Sequence, residues 1–206
     1  MRRLSYWMAA ALLGSAAPTA ALAGELSLAA LLDRLAPEQG GLAASYEETR
    51  HDPLAEEPIH LRGELHYRHP GQLRKTERLP DGEEREIRIA DDLVHLRDQR
   101  GERTTRLNQV PGLEPLMAVL DAIGGGDADT LEAHFQRVEL DGDAEDWQLA
   151  LEAAPRPAPG RGGGSRRSDE APLHLTLSGQ AAWIDEIELD APRQGRIRLR
   201  LIEALE

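Results

Sequence analysis

Between Ile59 and Arg68 the chain alternates without a break. Ile59, Leu61, Gly63, Leu65 and Tyr67 hold one phase, and His60, Arg62, Glu64, His66 and Arg68 hold the other. A period of two is a strand with one apolar and one wet face. Pro70 closes the run, because proline has no N–H for the next rung. The same alternation returns along most of the chain, which restricts it to an antiparallel sheet with one apolar face. After the first 23 residues the aromatics are only Tyr46, Tyr67, Phe135, Trp147 and Trp183. An apolar sheet face with so little bulk to fill it points to a surface that holds something apolar.

The punctuation sets the order of elements. Ser27 is placed to cap a short helix over Leu28, Leu31, Leu32 and Leu35, which Pro37 and Gly40-Gly41 stop. Strands are predicted near Ala43–Arg50, Ile59–Arg68, Leu73–Leu79, Glu86–Ala90, Leu93–Arg97 and Arg103–Leu107. Turns at Pro80-Asp81-Gly82, Asp91-Asp92 and Gln99-Arg100-Gly101 make them a meander. Leu116, Met117, Leu120 and Ile123 then recur at helical spacing, and Gly124-Gly125-Gly126 ends that helix. A second short helix follows from Asp127 to His134, with Asp127 or Asp129 as its cap. Strands resume at Phe135–Leu140, at Trp147–Leu151, at Leu173–Leu177, at Trp183–Leu189 and at Arg196–Leu201. Segregated helices and strands give an α+β fold, a strongly curved antiparallel sheet with helices on its concave side.

Arg2 and Arg3, the apolar stretch Tyr6–Leu13 and the small-x-small site Ala21-Leu22-Ala23 predict a cleaved secretory signal over residues 1–23. The stretch is too short to span a bilayer. Cleavage before Gly24 takes the net charge from −13 to −15 by removing two arginines. The remainder, 24–206, reads as one exported domain. Its acidic balance argues against nucleic acid and against anionic membrane surfaces. Within 155–172, Pro, Gly, Ser and Arg dominate, and Arg161, Arg166 and Arg167 read as cations of a solvated loop inside a hairpin.

No convergent catalytic set stands out, and the chain reads as no enzyme. His66 and His69 are three apart near a strand end and tend to point oppositely, which suits no shared metal. Ser165 and Ser178 lack a nucleophile elbow. Gly124–Gly126 lacks the lysine and hydroxyl of a phosphate loop. Neither a metal nor a cofactor is expected.

Three segments carry a resemblance: Leu42–Arg50, the run Gly63-Glu-Leu-His-Tyr-Arg-His-Pro70, and Asp91-Asp92 before a strand. The helix–Gly-Gly-Gly–helix stretch and Asp141-Gly142 to Trp147 extend it. In that order they resemble the outer-membrane lipoprotein carrier protein family (LolA-like), closest to its divergent branch. The resemblance implies an unclosed β-barrel whose apolar concavity is covered by a helical lid. It also implies a periplasmic carrier of lipid or lipoprotein acyl chains, a monomer that meets an inner-membrane export complex and an outer-membrane receptor. Carrier members place arginine before the proline that ends the Gly-x-Leu strand, where this chain has His69; they also line the cavity with more aromatics. Free or glycosylated lipid is therefore an alternative cargo, and a protein-binding envelope scaffold with a filled core is an alternative function.

The apolar phase of each strand gives the candidate cavity: Tyr46, Leu61, Leu65, Tyr67, Ile87, Ile89, Leu149, Leu151, Leu175, Leu177 and Leu189. The resemblance makes Leu116, Met117, Leu120 and Ile123 the lid face, with Gly124, Gly125 and Gly126 as its hinge.

Overall fold

The computed structural model describes residues 26–36, 41–110, 112–153, 172–191 and 195–205. The predicted signal segment lies outside them, as does the predicted loop from Pro155 except for Pro172.

Helix α1 (Leu28–Leu35) starts where predicted, with Ser27 Oγ accepting from Ala30 N at 3.2 Å. Its leucines at 31, 32 and 35 are buried. Six strands follow: β1 (Gly41–His51), β2 (Ile59–Arg68), β3 (Gln72–Arg78), β4 (Glu84–Ala90), β5 (Leu93–Asp98) and β6 (Gly101–Arg106). Asp91 and Asp92 turn β4 into β5 with φ of 51° and 60°, the left-handed pair that matches the twist of a hairpin and that aspartate tolerates. Helices α2 (Leu113–Gly125) and α3 (Ala128–His134) come next. The last strands are β7 (Phe135–Gly142), β8 (Trp147–Ala153), β9 (Leu173–Gln180), β10 (Trp183–Ala191) and β11 (Gly195–Ala204).

All eleven strands form one sheet in the order β6-β5-β4-β3-β2-β1-β11-β10-β9-β8-β7, and every neighbouring pair is antiparallel. The chain meanders outward from β1 to the β6 edge. It then restarts at the far edge, β7, and meanders back until β11 pairs with β1. The sheet stays unclosed, because β6 and β7 do not pair. Helices α2 and α3 join those two edges, so the sequence order itself sends them across the sheet. Register shifts at Ser45/Tyr46, Phe135/Arg137 and Ile184/Glu186 mark bulges, which bend strands and deepen a sheet's curl. The β6 edge reads Gly-Glu-Arg-Thr-Thr-Arg and is largely exposed; edge charges of this kind oppose pairing with another sheet.

The core lies between the curled sheet and the helices. Leu31, Leu32, Val119, Leu131, Leu149, Leu175 and Leu177 are wholly buried there. Burial of one such leucine contributes about 1.5–3 kcal/mol. Trp147 joins them with its indole Nε1 donating to Ala181 O at 3.2 Å. Among the described residues no helix is long and apolar enough to cross a membrane.

Candidate functional site

The apolar strand phases converge on one concave face. Tyr46, Leu65, Tyr67, Ile89, Leu149, Leu151, Leu175 and Leu177 are buried in a single cluster, with Ile87 and Leu189 half-buried against it. Leu61 is also buried, yet it lies outside that cluster, opposite Glu48 in the β1–β2 register.

Helix α2 lies in the same cluster. Met117, Leu120 and Ile123 are buried and Leu116 half-buried, so the predicted stripe faces inward. Ala118, Val119 and Ala122 are buried too, which widens the stripe beyond the four residues read from spacing. An apolar hollow of about 30 Å³ remains under the C-terminal half of α2, lined by Leu35, Leu42, Tyr67, Leu120, Ile123 and Trp183 among others. That is room for a water molecule, not an acyl chain. A larger open groove of about 610 Å³ runs alongside α2, between it and the β4–β5 turn, with Leu93, Leu107, Met117, Asp92, Glu114 and Asp121 in its wall.

The three glycines do not all follow the helix. Gly124 and Gly125 are its last two residues, and Gly126 caps it in the left-handed region at φ 64°. Gly124 packs against the sheet: a Cβ there would stand 2.8 Å from His69 Cβ and 2.9 Å from Tyr67 Cε1. Glycine at 124 is thus required by close approach, whereas Gly126 is required by its backbone angle.

Beside Gly124 a polar contact ties α2 to the sheet. Asp121 Oδ1 accepts the Tyr67 hydroxyl at 2.5 Å and the Gly71 N–H at 2.7 Å. His69 Nδ1 lies 3.7 Å from the same oxygen. Burial, reinforced by the Asp121 carboxylate, pushes the Tyr67 phenol above its ordinary pKa, so it remains a donor. His69, the residue before Pro70, therefore sits at the junction of helix and sheet. Arg68 is exposed on the other face. Asp121 was not singled out by spacing; an acid within the apolar run Leu116–Ile123 was the available signal.

A second feature was missed. Glu48 and Glu77 are each only 1% exposed, on the concave side. Glu77 Oε1 accepts from Arg50 Nη2 at 2.5 Å and from Lys75 Nζ at 2.9 Å, and Oε2 from Arg85 Nε at 2.7 Å. Glu48 accepts from Arg50 Nε and Lys75 Nζ. Burial alone pushes the Glu77 carboxyl up, but Lys75, Arg50 and Arg85 together outweigh it and hold the pKa at about 2. Burial, with Glu77 and Glu48 adding to it, pushes the Tyr46 phenol upward. Its hydroxyl donates to Thr76 O at 2.9 Å, and Lys75 Nζ lies 4.8 Å from its ring centroid. Gly63 makes room for this tyrosine, since a Cβ would stand 2.9 Å from Tyr46 Oη and 1.8 Å from Thr76 O. The signal was present: Glu48 and Arg50 share a phase with Tyr46, as Lys75 and Glu77 do with Leu73.

An unclosed, curled antiparallel sheet with a helix tied across its concave face defines a covered half-barrel. The chain belongs to the outer membrane lipoprotein carrier protein LolA-like family, which it matches over residues 16–198. Comparison with curated proteins finds no match. Among solved structures it is similar to a LolA superfamily protein from Nitrosomonas europaea, with TM-score 0.45, 10% identity, and 87% of this chain and 93% of that one covered. It is similar also to lipoprotein LppX from Mycobacterium tuberculosis, with TM-score 0.42, 12% identity, and 87% and 95% covered. A third likeness is to the MucA/MucB complex of Pseudomonas aeruginosa, with TM-score 0.39, 12% identity, and 86% of this chain and 56% of that chain covered. Family membership rests on the sequence match rather than on these loose superpositions.

Proposed function

We propose that this protein is a periplasmic carrier that takes acyl chains of lipoproteins or other lipids between the sheet and α2 and moves them between the envelope membranes. One observation carries the reading: the helix over the apolar concavity is fastened to the sheet by a polar contact at Asp121 rather than by apolar packing alone. Tyr46, Leu61, Leu65, Tyr67, Ile87, Ile89, Leu149, Leu151, Leu175, Leu177 and Leu189 are the cavity wall. Leu116, Met117, Leu120 and Ile123 are the lid face, which covers that wall when no cargo is present. An uncovered wall of this size is an aggregation hazard. Burial of a chain gains about 0.8 kcal/mol per methylene, so a long chain outweighs the few groups that hold the lid. Gly124–Gly126 is where the lid turns, with Gly126 free to change its backbone and Gly124 to part from Tyr67 and His69.

A second reading is favoured by the tight interior: an envelope scaffold with a filled core, which binds protein and no lipid. Lipid extraction and mass spectrometry of protein purified from its native periplasm separates the two. The carrier reading expects acyl lipid in stoichiometric amount; lipid-free protein supports the scaffold.

A further inference from the structure

The concave face is not apolar throughout. Along β1 the inward phase reads Ala44, Tyr46, Glu48, Arg50; along β3 it reads Leu73, Lys75, Glu77, and β4 sets Arg85 opposite Glu77. One end of the face is therefore charged, and the apolar floor begins two residues along each strand, about 7 Å away. Within the charged end two carboxylates meet three cations. All four carboxylate oxygens accept: Glu48 from Arg50 and Lys75, Glu77 from Arg50, Lys75 and Arg85. The donors are not exhausted. Arg50 and Arg85 use Nε and Nη2 here, and Nη1 of each has no partner among the described residues. Their side chains remain 27% and 25% exposed, whereas both glutamates are fully covered. What the cluster shows outward is thus guanidinium, one positive charge in excess, in a protein whose net charge is −13.

The surplus cation is partly open to solvent and keeps unused donors beside the apolar floor. An acceptor-rich anion supplies both missing elements, the charge and the acceptors. We infer that the charged end of the concave face seats the anionic head, a phosphate or carboxylate, of a cargo whose acyl tail lies under α2. The inference rests on the carrier reading above and narrows it: the cargo is an acidic amphiphile, oriented with its head away from the helices. Guanidinium is suited to the role because its planar fork matches carboxylate and phosphate oxygens.

The test compares a fluorescent long-chain fatty acid with its methyl ester, titrated against the purified chain at neutral pH. The acid binds about tenfold more tightly than the ester, the size expected for one charge-assisted hydrogen bond. Arg85→Gln removes that preference and leaves the ester unchanged. Glu48→Gln, which adds a surplus donor instead of removing one, increases the preference; it also keeps the test decisive where Arg85→Gln does not fold. Inorganic phosphate that weakens the acid and spares the ester supports a seat open to free oxyanions. Phosphate without effect supports a seat that only a tethered head reaches. Equal affinity for acid and ester, unmoved by either substitution, overturns the seat and leaves the carrier reading in place. Binding of neither ligand overturns both.

Discussion

The Tyr67 hydroxyl donates to Asp121 Oδ1 at 2.5 Å, and this bond joins the end of β2 to the middle of α2. Asp121 is about one-third exposed and also holds the Gly71 N–H. It is a partly wet fastening over an apolar face, and such contacts open more readily than buried ones.

Tyr67→Phe keeps the ring and deletes the donor. A hydrogen bond to a charged acceptor contributes about 1.5 kcal/mol, so the open population of α2 rises on the order of tenfold. Amide hydrogen exchange should show faster opening of α2 with little change in β8–β10. Loss of protection spread evenly over the protein would instead make Tyr67 an ordinary core residue.

The three glycines separate packing from mobility. Gly124→Ala forces a methyl against Tyr67 and His69 and destabilises the protein. Gly125→Ala meets only the His69 ring edge, 3.2 Å away, and gains up to about 1 kcal/mol of helix propensity. Gly126→Ala carries the left-handed penalty of about 1–2 kcal/mol. Thermal melts of the three variants should therefore rank Gly125→Ala highest. Equal melts, with lipid uptake slowed alike in all three, would mean that the segment acts through flexibility alone.

Glu77 gives the protein a defined acid response. Its folded pKa of about 2 is below its ordinary 4.5, so its stabilisation is complete above about pH 4.5 and is lost as pH falls toward 2. The loss is on the order of 3 kcal/mol. Glu77→Gln leaves three cations short of a partner, costs about 3–5 kcal/mol at pH 7, and flattens the fall between pH 4.5 and 2. Urea unfolding at pH 7, 4.5, 3 and 2 measures both slopes. Parallel slopes for the two proteins contradict the assignment.

The long insertion between β8 and β9 should be expendable for the fold. Ala153 pairs with Leu173 across it, and its sequence carries no apolar anchor. Replacing residues 155–171 with an Asn-Gly turn should move the melting temperature by only a few degrees and leave lipid binding intact. A large drop in either assigns the insertion a role.

Much of the architecture was legible because a period of two, interrupted every ten residues or so, leaves few alternatives. The Ile59–Arg68 strand matches to the residue, and the order of six strands, two helices and five strands follows from where the spacing switches to helical. The buried apolar face was legible for the same reason, since Leu65, Leu149 and Leu177 hold their phases. The polar parts were not. Glu48 and Glu77 hold the apolar phase of their strands, but their pairing with Lys75, Arg50 and Arg85 is made only when β1, β3 and β4 come together in the sheet. Asp121 meets Tyr67 across 54 residues of sequence, and no local pattern encodes such a distance. Gly124 reads as freedom in sequence and as close packing in space.

On the carrier reading, α2 must leave the sheet for a chain to enter. The protein has no native cysteine, so a pair can be introduced cleanly. Asp92 and Glu114 line the same groove, one at the β4–β5 turn and the other in the first turn of α2. In the double variant Asp92→Cys, Glu114→Cys, a cleavable bis-maleimide pins the helix to the sheet. Uptake of a fluorescent fatty acid should stop when the two are joined and return when the linker is cut. If the joined protein takes up the probe as well as the cut protein does, α2 is fixed core and the lid account is wrong.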